Sequence, residues 1–295
     1  MDIKRFILLS LLLSAACTTL SAARDRSGNN PTIHLCGDST CAPKDMSKGS
    51  PERGWGMVFP GFFDDGVKIV NHARNGRSTK SFRTLGHWDR MMAMLKPGDY
   101  VFLQFGHNDS KQDDTLRYAP AYGAYSDNLR RFIDEVRAKG ATPVLLTPVS
   151  RRWFKDGVLD ENCHGDYVPA MKAVAQEKDV PLLDIYSDTR DWLKSLGDEA
   201  SKPYFMQLAP GECECYPEGR NDNTHTVYSG AVRVASFVVQ RIRQTPQLKP
   251  LSRHLLRKTV SQPCPCLQSD FPHKIFQKHP ALRCRERKWF RLLQS

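Results

Sequence analysis

The sequence predicts a three-layer α/β/α sandwich built on a parallel sheet, and three observations predict it. Five short, nearly continuous apolar runs of strand length recur along the chain, the pattern of strands buried on both faces. Amphipathic stretches with helical spacing stand between them, and such alternation implies right-handed crossovers between parallel strands. The chain has 295 residues, 40% of them hydrophobic, enough for one domain with a full core or two small ones.

After a polar stretch at Arg24–Pro31, the run Thr32–Cys36 begins the sheet. A helical segment at Gly54–Phe63 leads to the second run, Val67–His72, and a helix at Trp88–Leu95 to the third, Tyr100–Phe105. The next helix, Tyr125–Lys139, carries Leu129, Phe132, Ile133 and Val136 at helical spacing and meets Gly140, a C-terminal stop signal. The fourth run, Thr142–Thr147, a helix at Tyr167–Lys178 and the fifth run, Val180–Ile185, continue the alternation. Val227–Arg243 fits a last helix. Ligands of such sheets bind beyond the carboxyl ends of the strands, so the residues after each run are where chemistry is expected.

The two ends differ from this body. Lys4 and Arg5, the apolar Phe6–Ala16 and the small residues Ser21-Ala22-Ala23 form the three regions of an export signal, read as residues 1–23. The apolar run falls short of the roughly 20 residues of a membrane span. Leu13–Cys17 also resembles a lipobox, so a lipid anchor at Cys17 is an alternative to plain cleavage, and an uncleaved anchor is a third. Either cleavage predicts a secreted or periplasmic protein, expected to act as a monomer. Export leaves Cys36, Cys41, Cys163, Cys213, Cys215, Cys264, Cys266 and Cys284 in a compartment that permits disulfides, with connectivity open. The two Cys-x-Cys pairs lack the spacing of zinc knuckles, so no metal site is expected. Residues 246–295 hold eleven Lys and Arg against Asp270 and Glu286, which places +9 of the net +11 in the tail. A nucleic-acid partner therefore loses its support. The folded domain is read as 24–245 and the tail as a basic, disordered extension.

Gly37-Asp38-Ser39-Thr40 follows the first run, Asn75-Gly76-Arg77-Ser78 the second and Gly106-His107-Asn108-Asp109 the third. Asp222-Asn223-Thr224-His225 stands just before the last helix. Ester hydrolysis by serine needs a hydroxyl nucleophile, an imidazole base, a carboxylate to orient the base, and donors for the oxyanion. Ser39 in a tight strand-to-helix turn supplies the first, His225 the second and Asp222, three residues earlier, the third. The N–H groups of Ser39 and Gly76 and the Asn108 amide supply the donors. Taken singly, each cluster has a plainer reading: a helix cap, a turn, a polar loop, an Asp N-cap beside a surface His. Their joint order favours the catalytic one.

These four blocks resemble those of the SGNH (GDSL) hydrolases, in order and at family-like intervals, over residues 32–243. Gly54-Trp55-Gly56, Pro148–Arg152, His164–Tyr167 and Tyr216–Gly219 resemble the rhamnogalacturonan acetylesterase branch in particular. The resemblance implies a flavodoxin-like fold with five parallel strands, a catalytic triad of Ser39, Asp222 and His225, and an oxyanion hole of Ser39, Gly76 and Asn108. It also implies a serine esterase that deacetylates a plant cell-wall polysaccharide, with rhamnogalacturonan first and no cofactor required. Acetylxylan, a lipid or an acylated cell-surface glycan are the alternative substrates. A non-catalytic carbohydrate-binding protein on the same scaffold is the alternative class. Cys36, Cys41, Cys213 and Cys215 depart from the branch, and a disulfide within or between these pairs would shape the mouth of the site. The elbow Gly-x-Ser-x-Gly of α/β-hydrolases is absent.

Arg151 and Arg152 follow the fourth run, where they either meet a uronic-acid carboxylate or are simply solvated. His164 either touches substrate or is a hydrogen-bonded structural histidine, the latter being the default. Trp55, Trp88, Trp153 and Trp192 include candidates for stacking on sugar rings, against a default of core packing. Asn108-Asp109-Ser110 matches a glycosylation sequon by chance of its place in the third block.

Overall fold

The computed structural model describes residues 30–256. Residues 1–23, read as an export signal that includes Cys17, and residues 257–295 of the basic tail lie outside the described residues.

In chain order the strands are β1 (Thr32–Gly37), β2 (Glu52–Arg53), β3 (Lys68–Asn71), β4 (Tyr100–Gln104), β5 (Thr142–Leu146), β6 (Phe154–Lys155), β7 (Val158–Leu159), β8 (Leu182–Leu183), β9 (Phe205–Leu208) and β10 (Arg220–Val227). The helices are α1 (Trp55–Val58), α2 (Thr79–Thr84), α3 (His87–Met92), α4 (Ser126–Ala138), α5 (Tyr167–Glu177), α6 (Ile185–Ser201), α7 (Tyr228–Gln244) and α8 (Lys249–Ser252). Five strands form one parallel sheet in the order β3-β1-β4-β5-β8. Counting only those five, this is the 2-1-3-4-5 order of flavodoxin-like sheets, whose order reverses between the first and third strands. Helices cover both faces, as the expected three-layer sandwich requires.

Side-chain alternation along the strands builds two cores. Ile33, Leu35, Phe102, Val144 and Leu146 face α1 and α7, where Trp55, Phe59, Val234 and Val238 are buried. Cys36, Val101, Leu103 and Leu145 face the other layer, with Phe82, Trp88, Phe132 and Met171. Each large side chain buried this fully contributes about 1.5–3 kcal/mol. The apolar stripe of α4 is the expected one, with Leu129, Phe132, Ile133 and Val136 all fully buried.

Three differences from the sequence reading have physical causes. The fifth run contributes only β8 (Leu182–Leu183) to the sheet. Asp184 ends it, accepting a hydrogen bond from Ser187 N–H as N-cap of α6, so Ile185 is helical rather than strand. The folded body also continues past residue 245: Leu248, Leu251 and Leu255 are buried in the first core, and Leu256 N–H donates to Phe62 O at 2.9 Å. Third, a small antiparallel sheet, β2-β10-β9, lies beside the main one. It was not foreseen, and its strand β10 holds Asp222 and His225.

Candidate active site

The chain leaves β1 in a tight turn whose shape is fixed by Asp38. Its Oδ1 accepts from Thr40 N–H at 2.9 Å and from Thr40 Oγ1 at 2.7 Å, while its carbonyl accepts from Ala42 N–H at 3.0 Å. Behind the turn runs a buried relay. Trp55 Nε1 donates to Gln104 Oε1 at 2.6 Å, and Gln104 Nε2 donates to Thr40 Oγ1 at 2.8 Å. The glycines flanking Trp55 let the backbones close up: a Cβ at Gly54 would stand 2.2 Å from Ala42 O, which no packing adjustment relieves. The Gly-Trp-Gly block therefore seats the turn that carries Ser39.

This geometry presents Ser39 Oγ to His225 Nε2 at 2.8 Å. His225 Nδ1 lies 2.8 Å from Asp222 Oδ2. Asp222 and His225 sit on β10, where the pairing with β9 slips: Asp222 is opposite Met206 and Thr226 opposite Phe205. The surplus residues bulge outward, and Asp222 Oδ1 closes the bulge by accepting from Thr224 N–H at 2.9 Å and His225 N–H at 3.0 Å. Arg220 Nη2 adds a bond to Asp222 Oδ2 at 2.7 Å. Partial burial works against ionisation of Asp222. The His225 ring and backbone N–H, with Arg220, outweigh it and hold the carboxyl well below the usual range.

The second and third blocks close the opposite side. Gly76 has φ +70°, a left-handed conformation that favours glycine. Asn108 Nδ2 donates to Arg77 O at 3.1 Å, and Arg117 Nη1 donates to Asn108 Oδ1 at 3.3 Å. Both ends of the amide are thus held, with one Nδ2 hydrogen left over. The N–H groups of Ser39 and Gly76 donate to no other group among the described residues, as oxyanion donors must in a free site. Asp109 ties the two blocks together, its Oδ1 accepting from Thr79 N–H at 2.9 Å and Thr79 Oγ1 at 2.6 Å.

The GDSL-like lipase/acylhydrolase family matches residues 35–205. The chain belongs to that family. It is 39% identical over 229 residues to the rhamnogalacturonan acetylesterase RhgT of Bacillus subtilis, covering 77% of this chain and 94% of that protein. A probable rhamnogalacturonan acetylesterase of the same organism, YesY, is 33% identical over 212 residues, covering 72% and 92%. Among solved structures, the Bacillus subtilis protein YXIM superposes with a TM-score of 0.62 at 27% identity, covering 73% of this chain and 57% of that one. This GDSL chain is a carboxylic ester hydrolase.

Within the GDSL site the sequence-predicted residues divide. Ser39, Asp222 and His225 meet in one hydrogen-bonded line. Arg151 reaches the rim, donating to Thr224 Oγ1 at 2.8 Å and to His107 O at 3.2 Å, with its guanidinium over the Trp153 ring at 4.8 Å. Arg152 does not. It turns the other way, is 4% exposed and is paired with Asp198 at 2.6 Å, so neither solvation nor a uronate contact describes it. His164 is buried, with Nε2 on Val149 O at 2.8 Å and its ring edge-on to His107 at 4.5 Å. Burial pulls its pKa down to about 4, which makes it a neutral structural histidine. Trp55, Trp88 and Trp192 are core residues, whereas Trp153 is 43% exposed. The sulfurs of Cys36 and Cys41 are free thiols on opposite cores, and those of Cys213 and Cys215 stand 2.8 Å apart. Arg117 and Arg220, which hold Asn108 and Asp222, were missed; only their nearness to the blocks could have signalled them.

Proposed function

We propose that this esterase removes acetyl groups from an acidic plant cell-wall polysaccharide of the rhamnogalacturonan type, outside the cytoplasm, through an acyl-enzyme on Ser39. The observation that carries the reading is the line Asp222–His225–Ser39, with both links at 2.8 Å, in a chain 39% identical to a rhamnogalacturonan acetylesterase. His225 Nε2 takes the Ser39 proton as Oγ attacks the acetyl carbonyl. The oxyanion that forms accepts from Ser39 N–H, Gly76 N–H and Asn108 Nδ2. Collapse breaks the bond to the sugar oxygen, which leaves with the proton returned by His225. The acetyl group remains on Ser39. Water then attacks the acyl carbonyl as His225 takes its proton, and collapse releases acetate while the proton goes back to Ser39 Oγ. Ionised Asp222 stabilises the imidazolium in both halves. All these groups belong to one chain, so a monomer suffices. A polymeric substrate and the signal read at residues 1–23 together favour work outside the membrane.

The test is acetate release from acetylated rhamnogalacturonan, acetylated xylan and an aryl acetate, by wild type and Ser39→Ala. Release from the pectic polymer, lost in the variant, is expected. Activity confined to xylan or the aryl ester would keep the serine mechanism and overturn the substrate. Equal activity in wild type and variant would overturn the mechanism.

A further inference from the structure

Two cations border the acyl site with no carboxylate hydrogen-bonded or ion-paired to either among the described residues, although Asp38 and Asp222 act on Arg151, and Asp114 on Lys111, from beyond ion-pair distance. Arg151 spans the two halves of the machinery, bonded on one side to Thr224 of the β10 bulge and on the other to the carbonyl of His107. Both acceptors are neutral. Its Nε is buried with no partner, and no ion pair involves it among the described residues. Lys111 begins the loop after Asn108, with its N–H on Asn108 O at 3.3 Å. Its ammonium has no hydrogen-bond or ion-pair partner among the described residues, and the neighbouring charges that act on it are Arg117 and Arg151, with Asp114 acting the other way. Arg117 is paired with Asp114 and bonded to Asn108, so it is already committed. Placing unpaired like charges together costs folding energy, and an anionic ligand would relieve that cost.

The surroundings fit a sugar. A cleft of about 590 Å³ is lined by Lys111, Gln112, Asp113, Asp114 and Arg117. It shares Ser110 and Gln112 with a second cleft of about 560 Å³, walled by His164, Tyr167 and Tyr122. Tyr122 is 66% exposed, an open aromatic face next to hydroxyl and amide groups. Trp153, stacked on Arg151, offers another. Aromatic faces beside polar groups suit carbohydrate rings.

We propose that Lys111 and Arg151 form a carboxylate subsite beside the oxyanion hole, which receives a uronic-acid carboxylate of the glycan being deacetylated. This rests on the proposed deacetylation of an acidic polysaccharide and assigns its charge recognition to two residues. Arg151 would bind the carboxylate through the Nη hydrogens that Thr224 and His107 leave free, and Lys111 as a point charge. Arg152, locked onto Asp198, takes no part.

The experiment measures kcat/KM on acetylated rhamnogalacturonan, on the same polymer with its carboxyls reduced to alcohols, and on an aryl acetate, for wild type, Lys111→Gln and Arg151→Gln. It also measures inhibition of aryl-acetate hydrolysis by deacetylated rhamnogalacturonan oligosaccharides and by their carboxyl-reduced counterparts. The native-to-reduced preference of wild type should be about tenfold, the scale of a charge-assisted contact. It should fall several-fold in Lys111→Gln and shrink in wild type at high salt. Because Arg151 also touches the triad segment, Lys111→Gln and the reduced polymer decide the matter if Arg151→Gln loses activity altogether. Equal use of native and reduced polymer by wild type, or an unchanged preference in Lys111→Gln, would overturn the subsite and leave the deacetylation standing. If wild type released no acetate from either polymer, the deacetylation reading would fail. The inhibition arm would then judge the subsite by itself, since oligosaccharides that inhibit no better than their reduced forms would overturn it.

Discussion

Asp109→Asn should change how stability depends on pH. Asp109 is fully buried, and Oδ2 has no partner among the described residues. Burial raises its pKa from 3.8 to about 7, against the Thr79 hydrogen bonds that pull the other way and with Asp38 adding to the rise. The folded protein thus holds the proton more tightly than the unfolded chain. That preference corresponds to about 4 kcal/mol for a carboxyl moved from 3.8 to about 7. It is fully present below the unfolded value and is lost as pH rises through the folded one. Between pH 5 and pH 8 about 2.5 kcal/mol of it disappears. Asparagine keeps the acceptor for Thr79 and does not titrate. Urea unfolding of both proteins at pH 5, 6, 7 and 8 gives the difference in unfolding free energy at each pH. Wild type should lose about 2.5 kcal/mol relative to the variant across that range. Other titrating groups, including His72 with its pKa lowered to about 4, are common to both proteins and cancel. Parallel pH curves would refute the reasoning, whatever constant offset the buried amide introduces.

Asp222→Asn should leave the fold intact and lower kcat on an aryl acetate by up to about 10⁴-fold, because the amide stabilises the wrong imidazole tautomer; a loss below tenfold would mean that Arg220 and the bulge suffice to hold His225. Asn108→Ala should cost about 10²–10³ in kcat with little change in KM, and a pure KM effect in steady-state kinetics would remove Asn108 from the oxyanion hole. Arg117→Ala should lower kcat by less than Asn108→Ala does, and the double variant should be no worse than Asn108→Ala alone, since Arg117 acts through that amide. Leu251→Ala should destabilise by about 2–5 kcal/mol in a denaturant titration, whereas a residue outside the folded domain would cost nothing.

The large sheet and five of the helices were legible because burial on both faces leaves a continuous apolar run and helices leave a period. Three kinds of feature were not. β10 reads Arg-Asn-Asp-Asn-Thr-His-Thr-Val, polar in all but its last residue; its strand form comes from pairing with β9 and β2, which no local pattern announces. Asp184 lies inside an apolar stretch, so the cap of α6 was hidden within what read as a strand, although Ile185, Thr189, Trp192 and Leu193 do share a buried face. Leu248, Leu251 and Leu255 are spaced as a buried stripe, yet the surrounding basic charge dominated the reading. Arg152 was misplaced for a simpler reason. Its partner Asp198 lies on α6, a helix absent from the sequence reading, so nothing local distinguished Arg152 from Arg151.

The bulge in β10 explains how Asp222 and His225 come from one short stretch of chain while Ser39 comes from far away. In a regular strand Asp222 and His225, three apart, would point to opposite faces. The slipped register against β9 gathers Asp222 to His225 into one turn, and the two N–H bonds to Asp222 Oδ1 fix that turn. The same carboxylate therefore shapes the backbone with one oxygen and orients the imidazole with the other. The tautomer of His225 and its position are then set by a single side chain. Only Ser39 has to be brought to them. The main sheet does that at the point where strand order reverses between β1 and β4, so that Ser39 after β1 and Asn108 after β4 emerge side by side. The hydrogen-bonded line Asp222–His225–Ser39 is thus a seam between two sheets: one brings Ser39 and Asn108, the other His225 and Asp222.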